Sequence, residues 1–228
     1  MDYKQRFIEF MAKSGVLTFG EFVTKSGRHS PYFINTGNYR TGAQIAALGG
    51  FYADCIAANM ESGNIGGGVA ALFGPAYKGI PLAVSAAAAL AGRGMDINYC
   101  FNRKEAKDHG EGGGMVGYKP CAGDRVLIVE DVITAGTAVK ECLPLLEGGC
   151  GAKVEGLIVS VDRMERGAGE RTAIREIFED YGIRTCPIVT VLDIIACLHN
   201  RPVDGTVYIN DFIKQKMEDY MREYCVIA

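Results

Sequence analysis

The sequence predicts a single α/β domain, residues 1–228, in which a central parallel sheet is flanked by helices. Short apolar runs begin near residues 69, 97, 126, 157 and 187, and segments with helical periodicity separate them. The chain of 228 residues is 48% hydrophobic, which is sufficient for one full core. Polar or glycine-rich groups follow most of these runs, as expected where such sheets bind ligands.

The first forty residues combine an amphipathic helix with a turn-rich segment. Residues 2–13 place apolar and charged side chains on opposite sides of a helix that ends before Gly15. Residues 17–35 are predicted to form extended strands around a turn that contains Lys25. From the residues alone, Lys25 is either a ligand-binding cation or a solvated loop residue. The neighbouring aromatic pair, Tyr32 and Phe33, belongs to the site or to the core.

A helix over 41–60, with one apolar face, leads into the first strand of the predicted sheet at 69–73. The loop G-P-A-Y-K-G follows at 74–79, and an alanine-rich helix begins near residue 80. A glycine-containing loop before a helix N-terminus can bind phosphate through backbone N–H groups, and Lys78 suits a diphosphate. The alternative is an ordinary tight turn between strand and helix.

The segment 102–114 has no apolar periodicity and is expected to be a mobile lid loop. The segment contains four potential cations that suit an anionic leaving group, namely Arg103, Lys104, Lys107 and His109. Three acids lie among them, and the segment contains no aromatic residue. Both features argue against RNA binding as its role.

The most informative stretch is residues 126–138. Four aliphatic residues predict a buried strand, and the acids Glu130 and Asp131 follow it directly. The small residues of T-A-G-T, at 134–137, then offer hydroxyl and N–H groups at the start of a helix. Carboxylates beside a phosphate site suit a ligand that also carries hydroxyl groups. A ribose 5-phosphate meets this condition, with a divalent cation nearby if a diphosphate is attached.

The remaining third of the chain continues the strand and helix alternation. A helix over 138–146 should be disturbed by Pro144, and a buried strand at 157–161 precedes Arg163. At the carboxyl end of a strand, Arg163 is a candidate for binding a substrate carboxylate. A further strand is predicted at 187–191, with helices over 170–181, 193–198 and 211–224.

Composition restricts the class of partner. A formal net charge of −3 gives no general attraction for nucleic acid or anionic lipid, so small-molecule substrates are expected. The eight cysteines show no C-x-x-C pair and no metal-type spacing to histidine, which is typical of free thiols in a reducing cytoplasm. No leader and no apolar stretch of membrane-spanning length is apparent, so we expect a soluble cytoplasmic protein.

The predicted ligand carries a ribose phosphate, a diphosphate and a separate anionic group. The reaction that fits is displacement of pyrophosphate from C1 of the sugar by a nitrogenous base. Such a reaction passes through an oxocarbenium-like state and needs no serine or cysteine nucleophile.

Five segments give the chain a resemblance to the orotate phosphoribosyltransferases of the type I phosphoribosyltransferase family. They are F-G-E-F-x-x-K-S-G-R, S-P-Y-F, F-G-P-A-Y-K-G-I-P, F-N-R-K-E-A-K-D-H-G-E-G-G and E-D-V-I-T-A-G-T-A. The resemblance implies the type I fold, with a small N-terminal hood from residues 1–40 and the lid at 102–114. It also implies phosphoribosyl transfer from phosphoribosyl diphosphate to orotate, in pyrimidine synthesis. Mg²⁺ and a homodimer whose lid reaches into the neighbouring subunit are implied too.

The same resemblance implies a role for each matching residue. Lys25, Phe33 and Ile34 would line the orotate and sugar region, and Tyr77 and Lys78 would contact the diphosphate. Arg103, Lys104, Lys107 and His109 would belong to the lid, with Lys107 important for turnover. Thr134 and Arg163 would meet orotate. The ribose phosphate would be held by Glu130, Asp131, Val132, Ile133, Thr134, Ala135, Gly136, Thr137 and Ala138. Mg²⁺ would bind through the diphosphate, with Glu130 or Asp131 contributing through water.

Two positions depart from the enterobacterial pattern. Glu130 stands where an aspartate is common, and Ile34 replaces a second aromatic residue. The first change keeps the charge, whereas the second removes a ring that could stack on the base. Two other classes remain open: a purine phosphoribosyltransferase, which should lack K-S-G-R and this lid, and a non-catalytic regulator, which would need a basic nucleic-acid surface.

Overall fold

The structure is a computed structural model that describes residues 2–24, 27–104, 114–133, 136–167 and 169–226. Its centre is a six-stranded sheet in the order β5-β4-β3-β6-β7-β8. The strands are β3 (Val69–Gly74), β4 (Asn98–Asn102), β5 (Met115–Gly117), β6 (Arg125–Val132), β7 (Lys153–Asp162) and β8 (Thr185–Thr190).

Five of the six strands are parallel, which confirms the predicted parallel sheet and its five strand positions. The prediction was wrong at one edge, where β5 pairs antiparallel to β4 and makes the sheet mixed. β5 has only three residues and follows a glycine-rich run, so neither length nor periodicity identifies it in the sequence.

Helices cover both faces of the sheet, as predicted. They are α1 (Tyr3–Lys13), α2 (Gly42–Glu61), α3 (Gly79–Ala91), α4 (Thr137–Leu143), α5 (Ala173–Tyr181), α6 (Val191–Leu198) and α7 (Asp211–Tyr224). α2 begins with a capping box in which Thr41 and Gln44 satisfy each other's backbone N–H groups. Among the described residues, no helix has both the length and the apolar character needed to cross a bilayer.

The buried strands divide the apolar core into two layers. In β6, Leu127 and Val129 pack with the α1, α2 and α3 side, whereas Val126 and Ile128 pack with the α4 and α5 side. Successive strand residues point to opposite faces, so a strand covered on both faces must be apolar throughout. The uninterrupted aliphatic run in the sequence therefore places β6 in the centre of the sheet.

Pro144 ends α4, as its missing N–H predicts. The helix stops at Leu143, and residues Pro144–Gly149 form a wider π-helical turn. The helix is thus shorter than the predicted 138–146.

Residues 17–34 form a separate antiparallel hairpin, which confirms the predicted strands around a turn. It consists of β1 (Leu17–Val23) and β2 (His29–Ile34), and β2 contacts α7. A second, smaller hairpin joins β9 (Pro202–Val203) to β10 (Thr206–Val207). Tyr32 is fully buried whereas Phe33 is exposed, so the aromatic pair divides between the core and the surface.

Candidate active site

The acid pair lies at the carboxyl end of the central strand β6. The strand continues to Val132, so Glu130 and Asp131 belong to its last residues instead of following it as predicted. Their side chains accept hydrogen bonds from the adjacent backbone: Glu130 Oε1 from the N–H of Asp131 at 3.0 Å, and Asp131 Oδ1 from the N–H of Val132 at 2.7 Å. Both carboxylates are therefore held in defined orientations.

Lys78 is in direct contact with Asp131, the second acid of the pair. Lys78 Nζ donates to Asp131 Oδ2 at 2.8 Å, and the Thr36 hydroxyl donates to the same oxygen at 2.8 Å. Asp131 is only 8% exposed, whereas the Lys78 side chain is 69% exposed. The predicted diphosphate-binding and ribose-binding residues thus meet at one edge of the sheet, because β3 and β6 are parallel neighbours.

Two buried hydroxyl groups fix the backbone beneath the acids. The Tyr52 hydroxyl, on α2, donates to the carbonyl of Glu130 at 2.7 Å. The Ser160 hydroxyl, on β7, donates to the carbonyl of Asp131 at 2.5 Å. These bonds prevent the end of β6 from fraying, which keeps the carboxylates in register with Lys78.

A cavity of about 430 Å³ opens beside Asp131 and Lys78. Its walls come from the turn after β2 and from the helices α2 and α3. They include Thr36, Tyr39, Ile45, Leu48, Pro81 and Leu82. A cavity with apolar walls and charged groups at one side is typical of small-molecule sites.

The loop after β3 approaches the beginning of the lid segment. The backbone N–H of Ala76 donates to Asn102 Oδ1 at 2.8 Å, and the Ala76–Tyr77 peptide bond is cis. The Lys104 Nζ lies 5.3 Å from the centre of the Tyr77 ring, and that ring is 67% exposed. Tyr77, which is predicted to contact the diphosphate, and the lid cation Lys104 are therefore neighbours.

Arg163 follows β7 and lies beneath the hairpin. Its guanidinium stacks on the Tyr32 ring at 4.4 Å, and Nη2 donates to Ser30 Oγ at 3.2 Å. Nε donates to Glu165 Oε1 at 2.7 Å, and the Tyr220 hydroxyl donates to the same oxygen at 2.7 Å. Arg163 is thus paired with a carboxylate of the protein itself and is held on several sides.

The turn between β6 and α4 needs a glycine at residue 136. Gly136 has φ of 67°, and a Cβ there would lie 2.9 Å from Cδ1 of the buried Ile177. Both the left-handed backbone and the close packing exclude larger residues. The position is the Gly of the T-A-G-T motif, so packing against Ile177 of α5 explains why this motif position is a glycine.

Comparison with known proteins places the chain in a family. A phosphoribosyl transferase domain model matches residues 42–187. The chain is 51% identical over 223 residues to an orotate phosphoribosyltransferase of Clostridium beijerinckii, covering 97% of each chain. It is 52% identical over 225 residues to that of Clostridium acetobutylicum, covering 98% of each. A crystal structure of the Francisella tularensis orotate phosphoribosyltransferase is 34% identical, with a TM-score of 0.80 over 97% of this chain and 100% of that one.

The chain belongs to the orotate phosphoribosyltransferase family. The fold predicted from the sequence, the type I phosphoribosyltransferase fold, is confirmed. The enzyme class, a glycosyltransferase that transfers a pentosyl group, and the predicted orotate phosphoribosyltransferase activity are confirmed as well.

Several residues that the resemblance to orotate phosphoribosyltransferases singles out lie outside the described part of the chain. They are Lys25, Lys107, His109, Thr134 and Ala135, together with the side chain of Ala138. Of the others, Phe33 is exposed on β2, Ile34 is half-buried, and Arg103 donates its backbone N–H to the carbonyl of Gly114 at 2.7 Å. The roles of all these residues stay predictions.

Sequence reasoning missed the residues that are distant in sequence but support this orotate phosphoribosyltransferase site by direct hydrogen bonds. Thr36, Tyr52, Ser160 and Glu165 carry no motif of their own, and Thr36 lies 95 residues before the carboxylate that it contacts. Asn102 could have been found, because it directly precedes the lid cations and a side-chain amide there is an obvious loop anchor.

The pKa values of the two acids are shifted in opposite directions. Burial raises the pKa of Glu130 to about 7, and the charge of Asp131 adds to the rise. Burial also acts against the charge of Asp131, but hydrogen bonds from Lys78, Val132 and Thr36 outweigh it, and the pKa of Asp131 is lowered. Glu130 therefore takes up a proton as the pH falls through about 7, whereas Asp131 stays ionised.

Glu130→Gln is expected to stabilise the ligand-free protein in alkaline solution and to have little effect in acid. The pKa of Glu130 rises from 4.5 to about 7 on folding, so its favourable contribution is complete below pH 4.5 and is lost as the pH rises through 7. At about pH 8.5 the variant should be more stable than the wild type by roughly 3 kcal/mol, which is about 2 kcal/mol more than at about pH 5.5. Urea unfolding at about pH 5.5 and 8.5 measures the difference.

Glu155→Gln is the matched control. The hydrogen bond from Arg125 lowers the pKa of Glu155, so its stabilising contribution is present throughout this pH interval and is lost only in stronger acid. We expect the control to be destabilised equally at both pH values. If Glu130→Gln also had the same effect at both, the raised pKa of Glu130 would be wrong.

Proposed function

We propose residue roles, a metal and an assembly for the activity of this family, the transfer of the 5-phosphoribosyl group from phosphoribosyl diphosphate to orotate. A bond forms between a ring nitrogen of orotate and C1 of the ribose while the bond from C1 to the diphosphate oxygen breaks. The diphosphate leaves with the electron pair, and the ring nitrogen loses its proton. The products are orotidine 5′-phosphate and diphosphate.

The contact between Lys78 and Asp131 carries the proposal most directly. In this pair, a residue suited to the diphosphate touches a residue suited to the sugar hydroxyls, 2.8 Å apart. A ligand that bears both groups on adjacent carbons can separate the pair, taking Lys78 Nζ onto the diphosphate and Asp131 onto the ribose hydroxyls. The 5-phosphate would then extend towards the turn at Gly136, where α4 begins.

Arg163 is proposed to bind the carboxylate of orotate. It lies 8% exposed beside β2, the strand that also carries the predicted orotate residues Phe33 and Ile34. Glu165 and Tyr32 already hold its guanidinium in the absence of a ligand. Substrate binding would therefore cost little further conformational entropy in that side chain. A planar cation fixed in this way favours a planar carboxylate.

Mg²⁺ is proposed as the cofactor. Within the described residues, no cluster of three or more His, Cys, Asp or Glu side chains is arranged to bind a metal. The oxygen donors of Glu130 and Asp131 nevertheless fit a hard cation that keeps most of its waters and binds mainly through a diphosphate. Bound there, Mg²⁺ would neutralise charge on the leaving group.

A homodimer with a shared lid completes the proposal. The apolar side chains of Val84 on α3 and Tyr99 on β4 are exposed, these two elements pack together, and β4 leads into the lid segment. Such a surface is suited to a second copy of the chain. Lys107 and His109 would then act in the neighbouring site.

A spectrophotometric assay tests the activity. Phosphoribosyl diphosphate, Mg²⁺ and orotate should show a loss of orotate absorbance, with orotidine 5′-phosphate as the product. Uracil and hypoxanthine serve as the alternative bases, and hypoxanthine tests the purine class directly. Transfer to hypoxanthine but not to orotate would contradict the proposal.

A further inference from the structure

Thr36 contacts the central carboxylate of the site although it belongs to no motif. It begins the short turn Thr36–Asn38 directly after β2, and its hydroxyl donates to Asp131 Oδ2 at 2.8 Å. The other donor to this oxygen is Lys78, which is held by a largely exposed side chain. One carboxylate oxygen thus accepts hydrogen bonds from an exposed ammonium group and from a half-buried hydroxyl on a short side chain.

We propose that Thr36 is a positioning residue that keeps Asp131 oriented for the ribose hydroxyls when Lys78 moves to the diphosphate. The inference rests on the proposed function, since it needs a ligand that draws Lys78 away. Thr36 has one χ angle and a hydroxyl that reaches Asp131 from the hairpin side, so it can stay in place during this exchange.

The charge balance makes the hydroxyl important. Once Lys78 has left, no cationic side chain among the described residues donates to Asp131 in its place. Donors that remain are the N–H of Val132, on Oδ1, and the hydroxyl of Thr36, on Oδ2. Each carboxylate oxygen then has one fixed protein donor, and the lone pairs left over point towards the sugar.

The turn that carries Thr36 does not depend on this hydrogen bond. The backbone N–H of Asn35 donates to the carbonyl of Val16 at 2.8 Å, and Asn38 Nδ2 donates to the carbonyl of Gly15 at 2.7 Å. Removing the Thr36 hydroxyl should therefore leave the backbone of the turn in place. A direct effect on Asp131 can be separated from a general loosening of the hairpin.

Thr36→Val is the critical variant, because valine has nearly the shape of threonine and no hydroxyl. We expect it to weaken the binding of phosphoribosyl diphosphate about tenfold, which is the scale of one hydrogen bond to a charged group. Calorimetric titration in the presence of Mg²⁺ measures this without orotate. In the assay, KM for phosphoribosyl diphosphate should rise in parallel while kcat changes less than about threefold. Thr36→Ser should restore the affinity.

Asn38→Ala is the matched control, since it removes an anchor of the same turn without touching Asp131. Its affinity for phosphoribosyl diphosphate should stay within about threefold of the wild type. Equal weakening by Thr36→Val and Asn38→Ala would overturn the inference in favour of a structural role, and so would wild-type affinity in Thr36→Val. A wild type that binds phosphoribosyl diphosphate but transfers nothing to orotate would contradict the proposed function, and the titrations would still decide the role of Thr36.

Discussion

Asp131→Asn is expected to reduce the affinity for phosphoribosyl diphosphate by about a hundredfold. The substitution preserves size but removes the charge with which Asp131 is proposed to accept hydrogen bonds from the ribose hydroxyls. Its amide group also presents donors towards Thr36 and Lys78, which both donate to Asp131 Oδ2 in the native protein. Calorimetric titration with phosphoribosyl diphosphate and Mg²⁺ gives the affinity directly.

Asp162→Asn provides the control for this experiment. Asp162 is also an aspartate at the carboxyl end of a strand, on the neighbouring β7, and its Oδ1 accepts the backbone N–H of Met164 at 2.8 Å. We expect its affinity for phosphoribosyl diphosphate to stay within about threefold of the wild type. If Asp131→Asn bound the ligand normally, or no more weakly than Asp162→Asn, the assignment of Asp131 to the ribose hydroxyls would be withdrawn.

Lys107→Ala is expected to lower kcat by about a hundredfold while both KM values change less than about threefold. The reason is that a lid cation stabilises the diphosphate mainly as it departs, when its charge is greatest. Lys119→Ala is a suitable comparison, because it removes the same charge from an exposed lysine beyond β5, outside the lid. An unchanged kcat in Lys107→Ala would remove Lys107 from the mechanism.

Mixing the Lys107→Ala and Asp131→Asn variants tests whether the lid is shared between subunits. If Lys107 acts in the neighbouring subunit, a mixed dimer of Lys107→Ala and Asp131→Asn has one site with both native residues and one with neither. Random exchange makes half of the dimers mixed, so activity should recover to roughly a quarter of the wild type. If the lid acts within its own subunit, every site carries one defect and no recovery follows.

The framework of this fold could be predicted because it depends on local patterns. A strand buried on both faces must be aliphatic throughout, which made β6 recognisable from Val126 to Val129. Pro144 marked the end of α4 for an equally local reason. The acids and Lys78 were expected to meet because parallel neighbouring strands end at the same edge, and their contact follows from that topology.

What the sequence did not reveal depends on contacts between distant segments. Nothing near Thr36 or Tyr52 indicates that these side chains reach the end of β6, since hydroxyl groups have no periodic signature. Arg163 was predicted as a ligand for a substrate carboxylate, but its pairing with Glu165 depends on how α7 packs against the hairpin. The strand β5 was missed because it has only three residues. Its extended conformation depends on pairing with the antiparallel β4, which no local pattern reveals.

The pairing of β4 with β5 also bears on how this part of the chain can vary. Asn102 faces Met115 in the ladder, and Arg103 is hydrogen-bonded to Gly114, so the chain leaves the sheet edge and returns to it at one point. An insertion between these two anchor points changes neither of them, and the entropy of closing a loop grows only slowly with its length. The sheet edge therefore fixes both ends of the segment between Arg103 and Gly114, so the length and charge of that segment can change while β6 stays unaltered.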